Sequence, residues 1–181
     1  MGTYSQYTDS PQWFAVQVWS GREHLSANHL RTRGYDVFLP RYRELRRWSD
    51  RVKAVERPLF AGYLFCRLHA DVVGKIVTTP GVIRIVGTSG SPTPVPDHEV
   101  TAIQNIVEAQ LHAEPCAFVR EGQTVRLEYG PLRGMEGVVV SIRNHHRLVV
   151  SISLLQRSVA VEIEPEWITL PYGGLLPMSQ A

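Results

Sequence analysis

The hydrophobic pattern of the chain changes character near residue 117. Before that point, short runs of aromatic and β-branched residues alternate with segments whose apolar side chains recur at helical spacing. The extended runs predict strands over residues 13–19, 35–40, 60–68 and 82–87. Together with the helical segments they give the order β-α-β-β-α-β-α, which is typical of a mainly antiparallel sheet backed by helices.

Three segments of this first part predict helices. Ser20 followed by Glu23 has the spacing of a capping box, and Gly34 can end the helix that follows. A short helix is predicted from Asp71, and a third helix after Asp97. The apolar side of the third helix carries four residues, Val100, Ile103, Val107 and Leu111.

The second part of the chain has only strand-like patterns. Apolar residues occupy every second position in runs about ten residues apart, which predicts a small β-barrel. The inward positions are predicted to be Val125, Leu127 and Tyr129, then Leu148, Val150, Ile152 and Leu154, then Val159, Val161 and Ile163. The first two strands are joined by "GPLRGMEGVVV", a glycine-rich turn that leads into a stiff valine strand.

These patterns predict an α+β protein with two domains. We expect a tail at 1–11, an α/β sandwich at 12–110, a linker at 111–117, a small SH3-like barrel at 118–171 and a second tail at 172–181. A barrel of about 55 residues is small, but domains of that size do fold alone.

Positive charge is concentrated in one segment. Seven basic and three acidic residues lie between Arg41 and Arg57, so this segment carries +4 while the whole chain carries +2. A polyanionic partner and a merely solvated arginine-rich loop both fit this charge. Tyr42 and Trp48 lie among the arginines, where flat rings could stack on bases.

The sequence has no pattern that indicates catalysis, a cofactor or a metal. Cys66 and Cys116 are far apart, the seven histidines lack the spacing of metal ligands, and phosphate-loop or nucleophile-elbow motifs are missing. No apolar run approaches the ~20 residues of a membrane helix. The first twelve residues do not have the pattern of a signal peptide, so we expect a cytoplasmic protein.

The motifs together resemble the NusG family of bacterial transcription elongation factors. In the first part the resemblance depends on "WFAVQVWSGREH", "FLPRY", "RPLFAGYLF", "TTPGVIRIVG" and "PVPDHEVTAI", in the order of the family. In the second part, "VREGQTVRLEYGPLRGMEGVV" resembles the KOW motif. The turn of that motif corresponds to Gly130, Pro131, Gly134 and Gly137.

The resemblance implies a non-catalytic protein that binds RNA polymerase. In the family, a hydrophobic patch of the first domain docks on the clamp helices of the largest polymerase subunit and suppresses pausing. The corresponding residues here are Trp13, Phe14, Phe60, Gly62 and Tyr63. We expect Trp13 to belong largely to the core and Phe60 and Tyr63 to be partly exposed. Ala61 replaces a proline that is usual in this turn.

The resemblance also assigns partners to two other segments. The basic segment corresponds to a hairpin near upstream and non-template DNA, with candidate contacts at Tyr42, Arg46, Arg47, Trp48, Arg51 and Lys53. The loop "SLLQRS" corresponds to the part of the barrel that contacts a ribosomal small-subunit protein or the Rho factor. The contacts there correspond to Leu154, Leu155 and Arg157.

With its compact, arginine-rich hairpin and the strand "LLQRSVAVEI", the chain resembles the specialised members of the family, of the RfaH, LoaP or UpxY type, which act on operons such as polysaccharide clusters. We expect a monomer. Leu155 and Gln156 replace an aromatic residue and a glycine that are common in the housekeeping factor. A housekeeping factor that couples transcription to translation or to Rho is the alternative. A ribosomal or RNA-binding KOW protein is a second alternative, which the low net charge disfavours.

Overall fold

The structure is a computed structural model that describes residues 10–47, 52–116, 118, 123–142 and 145–168. Fourteen strands lie in these residues: β1 (Gln12–Val18), β2 (Asp36–Phe38), β3 (Arg41–Arg47), β4 (Val52–Pro58), β5 (Tyr63–Leu68), β6 (Val82–Ile85), β7 (Gly87–Thr88), β8 (Ser91–Pro92), β9 (Pro94–Val95), β10 (Ala113–Cys116), β11 (Gln123–Arg126), β12 (Glu136–Ile142), β13 (His145–Ile152) and β14 (Arg157–Ile163). The helices there are α1 (Glu23–Thr32), α2 (Val73–Ile76) and α3 (Asp97–Glu108).

The chain divides into two compact units. One consists of Met1–Leu39 and Phe60–Asp97, the other of Pro40–Leu59 and His98–Ala181. The sequence instead predicts one domain over 12–110, which would contain both the β3–β4 hairpin and α3. The predicted domain limits therefore stay a prediction.

The first unit is built on an antiparallel sheet in the order β2-β5-β1-β6, with β9 also paired to β1. Successive residues of β1 point to opposite faces of this sheet. Phe14, Val16 and Val18 face one side and join a core with Ala27 and Leu30 of α1. Helix α2 is shorter than predicted, because the residues Ala70–Val72 before it form a 3-10 turn.

The hairpin of β3 and β4 forms a separate two-stranded sheet. Its register pairs Arg41 with Pro58 at one end and Arg47 with Val52 at the other. The sequence located the basic segment without deciding between a loop and a hairpin, and the structure shows a hairpin.

Helix α3 ends three residues earlier than the predicted apolar stripe. Val100, Ile103 and Ile106 are buried, whereas Val107 is half-exposed and Leu111 lies beyond the last helical residue, Glu108. The buried positions follow the i, i+3, i+6 spacing of one helix face.

The C-terminal sheet has the antiparallel order β10-β14-β13-β12-β11, and a bridge between Leu127 and Ile168 extends it. Strand β10 lies within the segment predicted as a linker. This segment forms a strand of the sheet instead, in which Ala113 is buried and pairs with Val161. Pro115 fits β10 because that strand lies at the edge of the sheet.

Most of the inward positions predicted for the barrel are buried, and each of the three strands contributes buried residues. The prediction for Tyr129 is wrong, because this residue is 63% exposed. Leu154, for which the sequence leaves exposure and packing inside equally open, is half-buried. Both residues lie just beyond the end of their strand, where the alternation of the strand no longer determines the direction of the side chain. The predicted fold class, α+β followed by a small β-barrel, is confirmed.

Candidate functional site

The turn before β5 is tied to the end of β1. The Tyr63 amide donates to the Phe60 carbonyl at 3.0 Å, and Gly62 has φ of 80°. This places Gly62 at the third position of a turn that requires positive φ, where glycine is favoured. The Val18 amide donates to the Gly62 carbonyl at 2.9 Å, so β1 holds the turn from one side.

Glu23 holds the same turn from the other side. Its side chain is 5% exposed, and its Oε1 accepts a hydrogen bond from the Gly62 amide at 2.9 Å. The predicted capping box is therefore wrong: α1 begins at Glu23, the N-cap is Arg22, and the N-cap makes no side-chain hydrogen bond. The physical reason is that a buried backbone N–H without a partner is costly, and this carboxylate satisfies one.

The rings near the turn form a packed series. Phe60 is 1% exposed and meets Phe65 edge-on, with the ring centroids 5.6 Å apart. Phe65 also packs against Phe38, which in turn contacts Trp13. The expected partial exposure of Phe60 is wrong, because this ring has an aromatic partner inside the first unit.

Trp13 and Phe14 lie on opposite faces of β1, and both are buried. The Arg67 guanidinium lies 5.9 Å from the centroid of the Trp13 ring, within the range of a cation–π contact. Phe14 belongs to the core on the side of α1. The core position expected for Trp13 is confirmed, while polymerase contact by either residue stays a prediction.

Tyr63 is half-exposed, as expected, and a second exposed aromatic residue lies nearby. Trp19 is 63% exposed and directly follows β1, so the Val18–Gly62 hydrogen bond brings its segment beside that of Tyr63. The sequence prediction placed Trp19 inside a buried strand. The "SG" pair after Trp19 was the available signal, because it is typical of a turn and therefore of a strand that has already ended.

The charges of the hairpin are distributed unevenly along its length. Near its base, Arg41 pairs with Glu56 and Arg57 pairs with Glu44, each at 2.7 Å. Toward the tip, the backbone register places Arg46 opposite Lys53. The net positive charge of the segment therefore increases toward the tip.

The structure describes the predicted nucleic-acid residues only in part. Tyr42 is half-buried, and Arg47 and Lys53 are exposed. Arg46 is described by its backbone alone, and Trp48 and Arg51 lie outside the described residues.

The glycine-rich turn of the barrel explains the pattern "GPLRGMEGVVV". Gly130 has φ of 80°, and a Cβ atom there would lie 2.5 Å from ring carbons of Trp167. Gly134 has φ of 84° but open space around it. Gly137 lies in β12, where a Cβ atom would approach the Val149 carbonyl oxygen to 2.9 Å. Each of these glycines thus meets a separate backbone or packing requirement.

Pro131 is exposed in the same turn, and two of the apolar residues after it point inward. Leu132 and Met135 are buried, and the Gly134 amide donates to the Leu127 carbonyl at 2.7 Å. The turn therefore fills the end of the barrel while its outer edge stays on the surface.

The predicted recruitment loop is held by polar contacts within the second unit. Ser153 begins a 3-10 turn, and its amide donates to Glu99 Oε2 at 3.1 Å. Leu154 and Leu155 are half-buried and Arg157 is exposed. Gln156 has φ of 50°, a left-handed conformation that few residues other than glycine adopt readily.

The two thiols are in environments that disfavour the thiolate. Burial, and secondarily the charge of Asp36, raises the pKa of Cys66 to about 12. Desolvation also raises the pKa of Cys116, with a further contribution from Glu114. Within the described part of the chain, no three His, Cys, Asp or Glu side chains are grouped to hold a metal ion.

None of the described helices is long and apolar enough to cross a membrane.

The fold thus combines an antiparallel α+β sheet that carries an aromatic turn with a small barrel that carries a glycine-rich turn. The model of the family NusG, transcription termination factor nusG, matches residues 11–104. The chain belongs to the NusG family.

Two curated relatives illustrate how far the similarity extends. The transcription termination/antitermination protein NusG of Helicobacter pylori strain J99 is 28% identical over 164 residues, which cover 83% of this chain and 93% of that protein. The protein of the same name from Vibrio parahaemolyticus is 28% identical over 167 residues, covering 84% and 92%.

Among solved structures, NusG of Thermotoga maritima, studied for its domain interaction, superposes with a TM-score of 0.53. The match covers 87% of this chain and 96% of that chain at 21% identity. This similarity supports the fold.

Proposed function

We propose that this protein is a non-catalytic bacterial transcription elongation and antitermination factor that binds the clamp helices of RNA polymerase and suppresses pausing or termination. Membership of the NusG family supports the general role. The observation that carries the proposal is the turn Phe60–Tyr63, which is hydrogen-bonded to the end of β1 and brings the half-exposed Tyr63 beside the exposed Trp19. Such a factor acts where transcription occurs, in the bacterial cytoplasm.

The polymerase-binding surface that we propose consists of Trp19 and Tyr63, and Gly62, which is buried, shapes the turn that carries Tyr63. Exposed aromatic side chains on a rigid support are the residue type that contributes most to protein interfaces. The other members of the predicted patch, Trp13, Phe14 and Phe60, are buried, with Trp13 and Phe14 on opposite faces of β1. They would affect binding through the fold.

The hairpin is proposed to contact upstream or non-template DNA. Its tip residues, Arg46, Arg47, Trp48, Arg51 and Lys53, would meet phosphates and bases, with Tyr42 nearer the base of the hairpin. The ion pairs near the base and the register that places Arg46 opposite Lys53 support this assignment, because phosphate contacts depend on a local excess of positive charge.

The barrel, proposed as a domain at 118–171, would recruit a second partner through Leu154, Leu155 and Arg157. A specialised role on particular operons is supported by the loop sequence, in which Gln156 adopts a left-handed conformation. The alternative is a housekeeping factor that engages a ribosomal protein or Rho. It is supported by the name of the curated relatives, termination/antitermination protein NusG.

A pausing assay on purified polymerase tests the central proposal. Trp19→Ala and Tyr63→Ala are expected to weaken polymerase binding about tenfold or more, the effect typical of an interface hot spot. Tyr129→Ala is the matched control, because Tyr129 is exposed to the same extent as Trp19 but lies in the barrel. Parent-like suppression of pausing by both test variants would show that this surface is not the binding site.

A further inference from the structure

We propose that Glu23 is a positioning residue for the polymerase-binding surface: its buried carboxylate holds the Gly62 amide and thereby sets Trp19 and Tyr63 side by side. This inference rests on the proposed function. It assigns a role to a buried charged side chain that neither the core nor the cap of α1 explains.

The first step of the argument is that Gly62 is held at both ends of its backbone. Its amide donates to Glu23 Oε1, and its carbonyl accepts from the Val18 amide, both at 2.9 Å. Trp19 follows Val18 directly, and Tyr63 follows Gly62. Together with the pairing of Gln17 and Tyr63 in the β1–β5 ladder, the two hydrogen bonds restrain the segments that carry the rings of Trp19 and Tyr63.

The second step concerns the intrinsic freedom of the turn. Gly62 adopts positive φ, and glycine loses more conformational freedom than any other residue when it is fixed. Ala61, at the preceding position, does not have the fixed φ with which proline would stiffen such a turn. The sequence of the turn therefore does not define its geometry, and an external restraint is needed.

The third step is that Glu23 is suited to provide this restraint. Hydrogen bonds to ionised acceptors are shorter and stronger than neutral ones. Burying a carboxylate is costly, and an apolar side chain would fill the same space without that cost. The presence of a buried glutamate is therefore explained by the hydrogen bond that it accepts, which an apolar side chain could not accept. Glu23 is also the first residue of α1, where the positive end of the helix dipole favours a negative charge.

Two variants of nearly equal shape separate the hydrogen bond from packing. Glu23→Gln keeps an oxygen acceptor at the same reach, whereas Glu23→Met fills the same volume without one. We expect Glu23→Gln to bind polymerase within about threefold of the parent, and Glu23→Met to lose about tenfold. Parent-like affinity of a folded Glu23→Met protein would overturn the proposal.

The amide of Gly62 reports directly whether the hydrogen bond to Glu23 is present, independently of polymerase binding. In ¹H–¹⁵N spectra we expect this amide to move upfield and to exchange faster in Glu23→Met, while the amides of β1 keep their protection. If Glu23→Met does not fold, Glu23→Gln tests the hydrogen bond instead. The neutral amide oxygen of Gln replaces the carboxylate as acceptor, so the Gly62 amide should shift upfield but stay protected from exchange. An unchanged shift would contradict the assignment.

A double variant distinguishes failure of this inference from failure of the proposed function. Glu23 is proposed to act through the aromatic surface. The double variant Trp19→Ala with Glu23→Met should therefore bind polymerase with nearly the same affinity as whichever single variant binds less tightly. If Trp19→Ala and Tyr63→Ala both bind like the parent, the proposed function fails. If they lose binding and Glu23→Met does not, only the positioning role fails.

Discussion

At the scale of single residues, Gly130 and Gly134 separate two reasons for using glycine. Both have positive φ, but only Gly130 lies against another side chain, the ring of Trp167. A left-handed conformation costs an ordinary residue about 1–2 kcal/mol, and overpacking costs typically about 1–3 kcal/mol more. The comparison of these two positions therefore measures the packing contribution alone.

We accordingly expect Gly130→Ala to lower the free energy of unfolding of the barrel by about 2–5 kcal/mol, the sum of both costs. Gly134→Ala, the matched control, should lose only about 1–2 kcal/mol. Urea unfolding of both variants measures the difference. Equal losses would mean that Trp167 moves away at little cost.

The residues of the candidate site show what sequence patterns can and cannot predict. The partial exposure expected for Tyr63 is confirmed. Phe60 and Trp19 were interpreted the wrong way round, because a single sequence does not show which of two aromatic residues finds a ring partner. Contacts such as Phe60 with Phe65 depend on tertiary packing, which local patterns do not encode.

At residue scale, the raised pKa of Cys66 predicts a dependence of stability on pH. The thiol has a pKa near 9.0 when unperturbed and about 12 in the fold, so its contribution to stability is full below pH 9. This contribution should fall as the pH rises from 9 toward 12, because the unfolded state releases the proton first.

Unfolding of the parent and of Cys66→Ala from pH 8 to 11 tests this dependence. Other groups titrate in the same range, so the informative quantity is the difference in slope between the two proteins. The variant should lose less stability per pH unit above pH 9. Parallel slopes would show that the buried thiol does not contribute.

At the scale of elements, the strands were predicted more reliably than their ends and connections. Alternation located β11 and β14 because half of each strand faces a core. It did not predict that β10 would pair at the sheet edge, since "AEPC" has neither alternation nor β-branched residues. The hairpin likewise has few apolar residues, and its cross-strand ion pairs become visible only once the register is known.

The hairpin gives a prediction with a control that also replaces two residues but leaves the net charge unchanged. Replacing both Arg47 and Lys53 with alanine removes two cations from the tip half. Binding to a DNA duplex should weaken, and the slope of log affinity against log salt should decrease by up to about 1.8, which is about 0.9 for each phosphate that the protein no longer neutralises.

The control removes an ion pair of zero net charge, Arg41 together with Glu56, from the base of the hairpin. An exposed pair of this kind contributes about 0–1 kcal/mol to stability, so its loss should leave the fold and the salt slope nearly unchanged. If the control and the tip variant have the same effect on DNA binding, the charge gradient along the hairpin does not determine binding.

At the scale of the whole molecule, the proposed recruitment role raises the question of which partner the barrel would bind. The family resemblance implies that the loop departs from that of the housekeeping factor at Leu155 and Gln156, and the structure gives Gln156 a φ of 50°. Glycine at this position would remove strain of about 1–2 kcal/mol. An aromatic residue at position 155 would supply the interface anchor that leucine provides less well.

We therefore expect the parent protein to bind purified Rho weakly and the double variant Leu155→Phe with Gln156→Gly to bind at least about tenfold more tightly, a gain of about 1.4 kcal/mol. Tyr129→Ala is the control for an unrelated change on the barrel surface. Titration calorimetry provides the affinities. If the parent binds Rho as tightly as the double variant is expected to, a housekeeping role is favoured, because the loop of the parent is then already able to bind Rho.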